Sequence, residues 1–120
     1  VRAGTRLRER GPSVLVIKKG EHGAMMLTEE SVFVAQVFPT SQVKDTTGAG
    51  DAFLGGFCGQ MARETKVDET ALRRAVLCGT VMASIAVEHT GPKGLVDLTH
   101  EGVAKRKDVL RRVSAQPDRW

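Results

Sequence analysis

Asp45-Thr46-Thr47-Gly48-Ala49-Gly50-Asp51-Ala52-Phe53 is the stretch that decides how this chain is read. Ahead of it, Val43-Lys44 is a short extended piece. Behind it, Phe53, Phe57 and Met61 recur every four residues, with Ala52 and Gly56 on the adjoining row, which is a helical period. Gly48 and Gly50 permit positive φ and let a ligand approach the backbone closely. A helix starting here aims its first N–H groups and positive dipole end at the turn, an arrangement suited to phosphate oxygens. An acidic residue repels a bound phosphate unless it has a task. The task that fits is taking a proton from a hydroxyl that attacks the phosphorus. On these residues alone two readings stand open. One is a phosphate site with Asp51 as base. The other is a capping turn in which the glycines bend the chain and Asp51 complements the helix dipole. No G-x-x-x-x-G-K-S/T occurs, and Phe53 takes the place of the third glycine in G-x-G-x-x-G.

Working outward, Val14-Leu15-Val16-Ile17 is a β-branched run between Gly11-Pro12 and Gly20, and predicts a buried strand. Gly20-Glu21-His22-Gly23 is a turn, Ala24–Thr28 a second strand, and Glu29-Glu30 a polar turn. Val32, Val34 and Val37 alternate on a third strand, and Pro39 ends the pattern. Strands this close in sequence are joined as hairpins, so this part of the sheet is antiparallel. Downstream, Asp68 is an N-cap candidate for a helix with a face of Leu72, Ala75, Val76, Gly79, Ala83, Ala86 and Val87, ended by Gly91-Pro92. Thr99 caps a third helix, with Val103, Val109, Leu110 and Val113 as a thin apolar face. Gly55, Gly56 and Gly59 are costly inside a helix unless it packs closely against a neighbour. Strands, a glycine turn and helices make an α/β chain, with too few strands for a complete doubly wound sheet.

Composition bounds the function. The 120 residues are 41% hydrophobic and include 13 glycines, within the globular range. The charge-free stretch Ala75–Val87 is 13 residues long, short of the roughly 20 needed to cross a bilayer, so no membrane association is expected. The net charge of +4 resides at the ends: residues 1–12 and 101–120 each carry +3, and the centre is net −2. With only four Phe, one Trp and no Tyr, a nucleic-acid surface is not expected either. The arginine-rich Val1–Pro12 reads as a solvated terminus. Cys58 and Cys78 fit two reduced thiols in small core positions, which points to a cytoplasmic protein.

The segment 45–53 resembles the second signature of the ribokinase, or PfkB, family of carbohydrate and nucleoside kinases. Lys18-Lys19-Gly20-Glu21-His22-Gly23-Ala24 is similar to that family's nucleotide-side strand and turn, and Val81–Gly91 to the helix and loop that close over the adenine. The resemblance covers about residues 13–100. It implies a ribokinase-like three-layer α/β architecture, here the C-terminal nucleotide-binding and catalytic portion. It further implies ATP-dependent transfer of a phosphoryl group to a hydroxyl of a sugar, sugar phosphate or nucleoside. By the same resemblance Asp51 matches the general base, and Gly48, Ala49 and Gly50 match the anion hole. Lys18, Gly20, Gly23 and Thr80 match nucleotide contacts. Asp45, Thr47, Ala86, His89 and Gly91 match a potassium site whose further serine ligand falls near Leu95, which has no side-chain oxygen.

Kinases of this family are about two and a half times as long and organise magnesium through an upstream Asn-x-x-Glu motif. This sequence contains no Asn. The expectation is a portion of a kinase that binds ATP and a small-molecule acceptor, is inactive on its own, and self-associates. The alternative from another class is a nucleotide-binding module or truncated pseudo-enzyme with a regulatory or scaffolding role.

Overall fold

The computed structural model describes residues 1–115, which fall into two compact units, Val1–Val37 and a second that begins at Phe38. In the first, the apolar runs form a three-stranded antiparallel sheet of β1 (Leu15–Lys18), β2 (Ala24–Leu27) and β3 (Val32–Ala35), in that spatial order. Leu15 lies opposite Leu27, and Leu27 opposite Val32. Directly opposed side chains share a face. Leu15, Ile17, Met25, Leu27, Val32 and Val34 therefore line one face, and Val16, Ala24, Met26, Phe33 and Ala35 the other. The β1–β2 connection is a 3-10 turn at Gly20–His22 followed by Gly23, whose φ is 80°. A Cβ on Gly23 would fall 2.2 Å from the Ala35 carbonyl oxygen, so close packing and backbone conformation both demand glycine there.

Two features of this unit depart from expectation. Residues 1–12 are not merely a solvated terminus, because α1 (Arg2–Arg8) is helical. It packs through its one buried residue, Gly4: a Cβ there would meet Leu27 Cδ2 at 3.0 Å and Ile17 Cδ1 at 3.2 Å. On β3, Val32 and Val34 share a face as expected, but they are 48% and 62% exposed. Burial falls on Ala35 of the opposite face. Val37 lies beyond the strand.

The second unit holds α2 (Ala49–Met61), α3 (Glu69–Ala86), α4 (Lys93–Val96) and α5 (His100–Ser114). α2 buries Ala52, Phe53 and Gly56, and Phe57 and Met61 are half-buried along the same row. It meets α3 almost backbone to backbone. A Cβ on Gly56 would lie 2.9 Å from the Cys78 carbonyl oxygen, and one on Gly79 would lie 2.8 Å from that of Phe53. Gly55 and Gly59 have open space around them, so packing explains only one of the three helical glycines singled out above.

The caps are where the sequence signals them. Asp68 Oδ1 accepts from the Ala71 N–H at 2.9 Å, and Thr99 Oγ1 from the Gly102 N–H at 3.1 Å. α3 closes at Ala86 rather than at Gly91, and the short α4 that follows Gly91-Pro92 is an element the sequence signals do not announce. On α5 only Leu110 is fully buried, joining Val81 and Ile85 of α3, while Val109 and Val113 are 41% and 49% exposed. Cys78 is a core thiol as expected, but Cys58 is exposed. It follows Phe53 by five residues, about 140° round the helix. No helix among the described residues is long and apolar enough to cross a membrane.

Candidate active site

Gly48 is the N-cap of α2, with φ 78° and ψ −3°, and open space where a Cβ would sit. This is the left-handed region, where glycine carries no steric penalty. Gly50, expected to share that property, does not: it lies in the first turn of α2 without a positive φ. Of the first amides, that of Ala52 donates to the Gly48 carbonyl at 2.9 Å and that of Ala49 to the Thr46 carbonyl at 3.3 Å. The second bond is longer than a usual N–H···O bond. Asp51 stands in this first turn, exposed, with its carboxylate bonded to no described residue. It caps no N–H group.

The loop before α2 is held by its own side chains and by the end of α3. Asp45 Oδ1 accepts from the Thr47 N–H at 2.9 Å. That backbone bond, with the Thr47 hydroxyl, holds the Asp45 carboxyl below the usual carboxylate range. The N–H groups of Lys44 and Asp45 both donate to the Val87 carbonyl, at 2.7 and 3.2 Å. The structure thus brings Asp45 to the segment that carries Ala86, His89 and Gly91. The Ala86 carbonyl accepts from the His89 N–H at 3.2 Å, and Gly91 takes a φ of 70°. His89 Nδ1 lies 3.0 Å from the Ile85 carbonyl. A carbonyl only accepts, so Nδ1 carries the proton. The His89 ring closes the end of α3.

The remaining candidates belong to other parts of the chain. Lys18, Gly20 and Gly23 fall in the first unit, at the β1–β2 turn, with Lys18 exposed and opposite Ala24. The Lys19 N–H bonds the Gly23 carbonyl at 2.8 Å, and Gly20, at φ 56°, opens the turn. Thr80 is 7% exposed, and its hydroxyl donates to the Val76 carbonyl of its own helix at 3.0 Å. Among the described residues no three His, Cys, Asp or Glu side chains cluster as metal ligands. A recess of about 530 Å³ between the end of α3, α4 and α5 includes His89, Lys93, Asp97 and Arg106, but not Gly48–Asp51.

Beside this loop lies an ion-paired network that the sequence reading did not anticipate. Arg106 of α5 binds both carboxylate oxygens of Glu88, donates to Ser84 Oγ at 3.0 Å, and sits 4.9 Å above the Phe38 ring. Thr40 Oγ1 donates to Glu88 Oε1 at 2.6 Å. The Arg106 guanidinium, and after it the Thr40 hydroxyl, hold the Glu88 carboxyl below its usual range, against the opposing effect of burial. One signal was present: Arg106 interrupts the apolar row of Val103 and Leu110, and a charge in such a row needs a partner.

Comparison with known proteins places this geometry in a family. The description pfkB family carbohydrate kinase matches residues 1–97. Aminoimidazole riboside kinase of Salmonella typhimurium is 35% identical over 85 residues, which are 71% of this chain and 26% of that protein. Inositol 3-kinase of Arabidopsis thaliana is 35% identical over 103 residues, 85% of this chain and 26% of its own. The crystal structure of aminoimidazole riboside kinase from Salmonella enterica, complexed with aminoimidazole riboside and an ATP analog, superposes with a TM-score of 0.77 at 29% identity. The match covers 95% of this chain and 36% of that one. The α/β fold is therefore ribokinase-like, and the chain spans about a quarter of the length of these curated relatives. The glycine turn, the helix it opens and the antiparallel hairpins are those of a relative of sugar and nucleoside kinases: this chain belongs to the pfkB family of carbohydrate kinases.

Proposed function

We propose that this chain supplies the phosphoryl-transfer half of an ATP-dependent kinase acting on an alcohol group of a sugar, sugar phosphate or nucleoside. The observation that carries the reading is the pairing of a left-handed Gly48 at the start of α2 with an exposed Asp51 carboxylate, bonded to no described residue, one helical turn away. The amides of Gly48, Ala49 and Gly50 form the anion hole. A phosphoryl oxygen competes for the Ala49 N–H, which is held only by a 3.3 Å bond to Thr46. Asp51 accepts the acceptor's hydroxyl proton as that oxygen bonds the γ-phosphorus, and the bridging P–O bond breaks with its electron pair leaving on ADP. Such transfer depends on positioning and electrostatics, which fixed amides at a helix N-terminus provide.

ATP fits these residues through the anion-binding turn. Lys18, Gly20, Gly23 and Thr80 are its further contacts by family resemblance, although the Thr80 hydroxyl is already bonded within α3. Magnesium would counter the phosphate charge. Its ligands fall largely outside this sequence, which has no Asn for the family's Asn-x-x-Glu motif. A potassium ion would take oxygen ligands; by family resemblance these are the Asp45 carboxylate and oxygens of Thr47, Ala86, His89 and Gly91, a reading supported by the bonds from Lys44 and Asp45 to the Val87 carbonyl.

The test is kinetic. In a chain of the family's full length that carries these 120 residues, Asp51→Asn should lower kcat by about 10²–10⁴ and leave Mg-ATP affinity essentially unchanged. A variant that keeps its kcat would remove Asp51 from the role of base. The 120 residues by themselves should show negligible acceptor-dependent ADP formation, because an unenclosed site stays wet and lacks the acceptor's proximity, worth about 7–11 kcal/mol. Sustained turnover would contradict this.

A further inference from the structure

A second cavity lies where α2, α3 and α5 meet, toward the C-terminal end of α2 and away from its catalytic first turn. It has a volume of about 200 Å³. Its floor is apolar, made by Leu77, Cys78 and the buried Leu110. Arg74, Lys107 and Arg111 stand around it with the Gln60 amide.

The charges there are unequal. Arg74 is held by Glu64, through bonds of 2.9 and 2.6 Å, and Arg111 by Asp108 at 2.8 Å. Lys107 has only the Gln60 amide oxygen, at 3.3 Å, and among the described residues no carboxylate lies within ion-pair distance of it. Among the described residues the three lining cations therefore meet two carboxylates, of which Asp108 also bonds Arg112, and the uncompensated charge belongs to the half-buried Lys107 at the edge of an apolar floor.

Size and charge together select the occupant. An apolar cavity of about 150 Å³ takes a benzene ring, whereas pockets for drug-sized ligands begin near about 300 Å³. We propose that this recess is a binding site for a single-ring aromatic monoanion. Its ring rests on Leu77, Cys78 and Leu110, and its carboxylate is recognised by Lys107. Such a ligand would touch the same two helices that Gly56 and Gly79 lock together, at the opposite end of α2 from Asp51.

The experiment titrates 4-fluorobenzoate into the isotopically labelled chain, followed by fluorine NMR of the ligand and amide shifts of the protein. The neutral isostere 4-fluorobenzamide is the control and Lys107→Gln the variant. Saturable binding of the carboxylate is expected, with the largest shifts at Leu77, Cys78 and Leu110. The amide isostere and the variant should each bind about tenfold more weakly, as befits loss of one charge-assisted bond. Lys107 fills no core position, so the variant should keep the wild-type amide spectrum elsewhere. Absence of saturation, equal binding of the neutral isostere, or shifts centred on other residues would each overturn the assignment. None of these outcomes bears on Asp51.

Discussion

Gly48 and Asp51 show how much a single residue type in its local setting can reveal. A glycine ahead of a helical period marks a place for positive φ, and Gly48 takes it at 78°. Gly50 carries the same letter and does not, because nothing in G-x-G distinguishes a residue that turns the chain from one already inside the helix. Replacing Gly48 by Ala should cost about 1–2 kcal/mol from the left-handed backbone alone, since a Cβ there meets nothing within 4 Å. Gly23→Ala should cost more, because its Cβ also strikes the Ala35 carbonyl. Urea midpoints of the two variants check the order, and an equal loss would contradict it. Thr80 is legible only as a position: its sequence neighbours do not reveal that its hydroxyl is spent on Val76.

At the scale of elements, the period of four, the Asp68 and Thr99 caps and the hairpin turns are plain in the sequence, because each is a local signal. What is not legible is what one helix does to another. Gly55, Gly56 and Gly59 look alike, yet only Gly56 touches α3. Gly56→Ala and Gly79→Ala should each cost about 1–3 kcal/mol by forcing the helices apart. Gly59→Ala should add about 0.5–1 kcal/mol by relieving backbone entropy. Thermal or urea unfolding of the three variants separates these signs.

The tie between α5 and α3 makes a second prediction at this scale. Glu88 has a folded-state value below its usual 4.5 because of Arg106 and Thr40. Its stabilisation is therefore complete above that value and is lost as pH falls through the lower one. Glu64, lowered to about 2 by hydrogen bonds from Arg74 and then Gln60, acts in the same direction at still lower pH. Urea midpoints should begin to fall as pH drops below the unperturbed 4.5 and go on falling toward about 2, where Glu64 is protonated, and Glu88→Gln should flatten the upper part of that fall. An unchanged profile would mean the network does not hold α5. The partners are 18 and 48 residues apart, a separation no periodicity spans.

For the molecule as a whole, the fold class follows from the order of strands, glycine turn and helices, and the family from one nine-residue segment. The α1 helix is hidden from a sequence reading because its only buried residue is Gly4, and an arginine-rich segment shows no apolar face to detect. The three-stranded sheet ends in β1 and β3, and β3 exposes Val32 and Val34. Edge strands with exposed apolar residues are templates for pairing with another copy. Light scattering should show an apparent mass that rises with concentration, and Val34→Lys should suppress the rise. A monomer at every concentration would contradict this.

The most direct measurement of the central claim is calorimetric titration of Mg-ATP into the folded chain and into its Asp51→Asn variant, in potassium and again in sodium. If Gly48–Gly50 form the phosphate-binding turn and Asp51 serves only as the base, both proteins bind saturably with similar affinity, and a dependence on potassium supports an ion site, which an Asp45→Ala variant would then locate. If Asp51→Asn abolishes or strongly weakens binding, Asp51 is a nucleotide anchor and not the base. If neither folded protein binds, the glycine turn is a capping turn in this chain, and its role as an anion hole is contradicted.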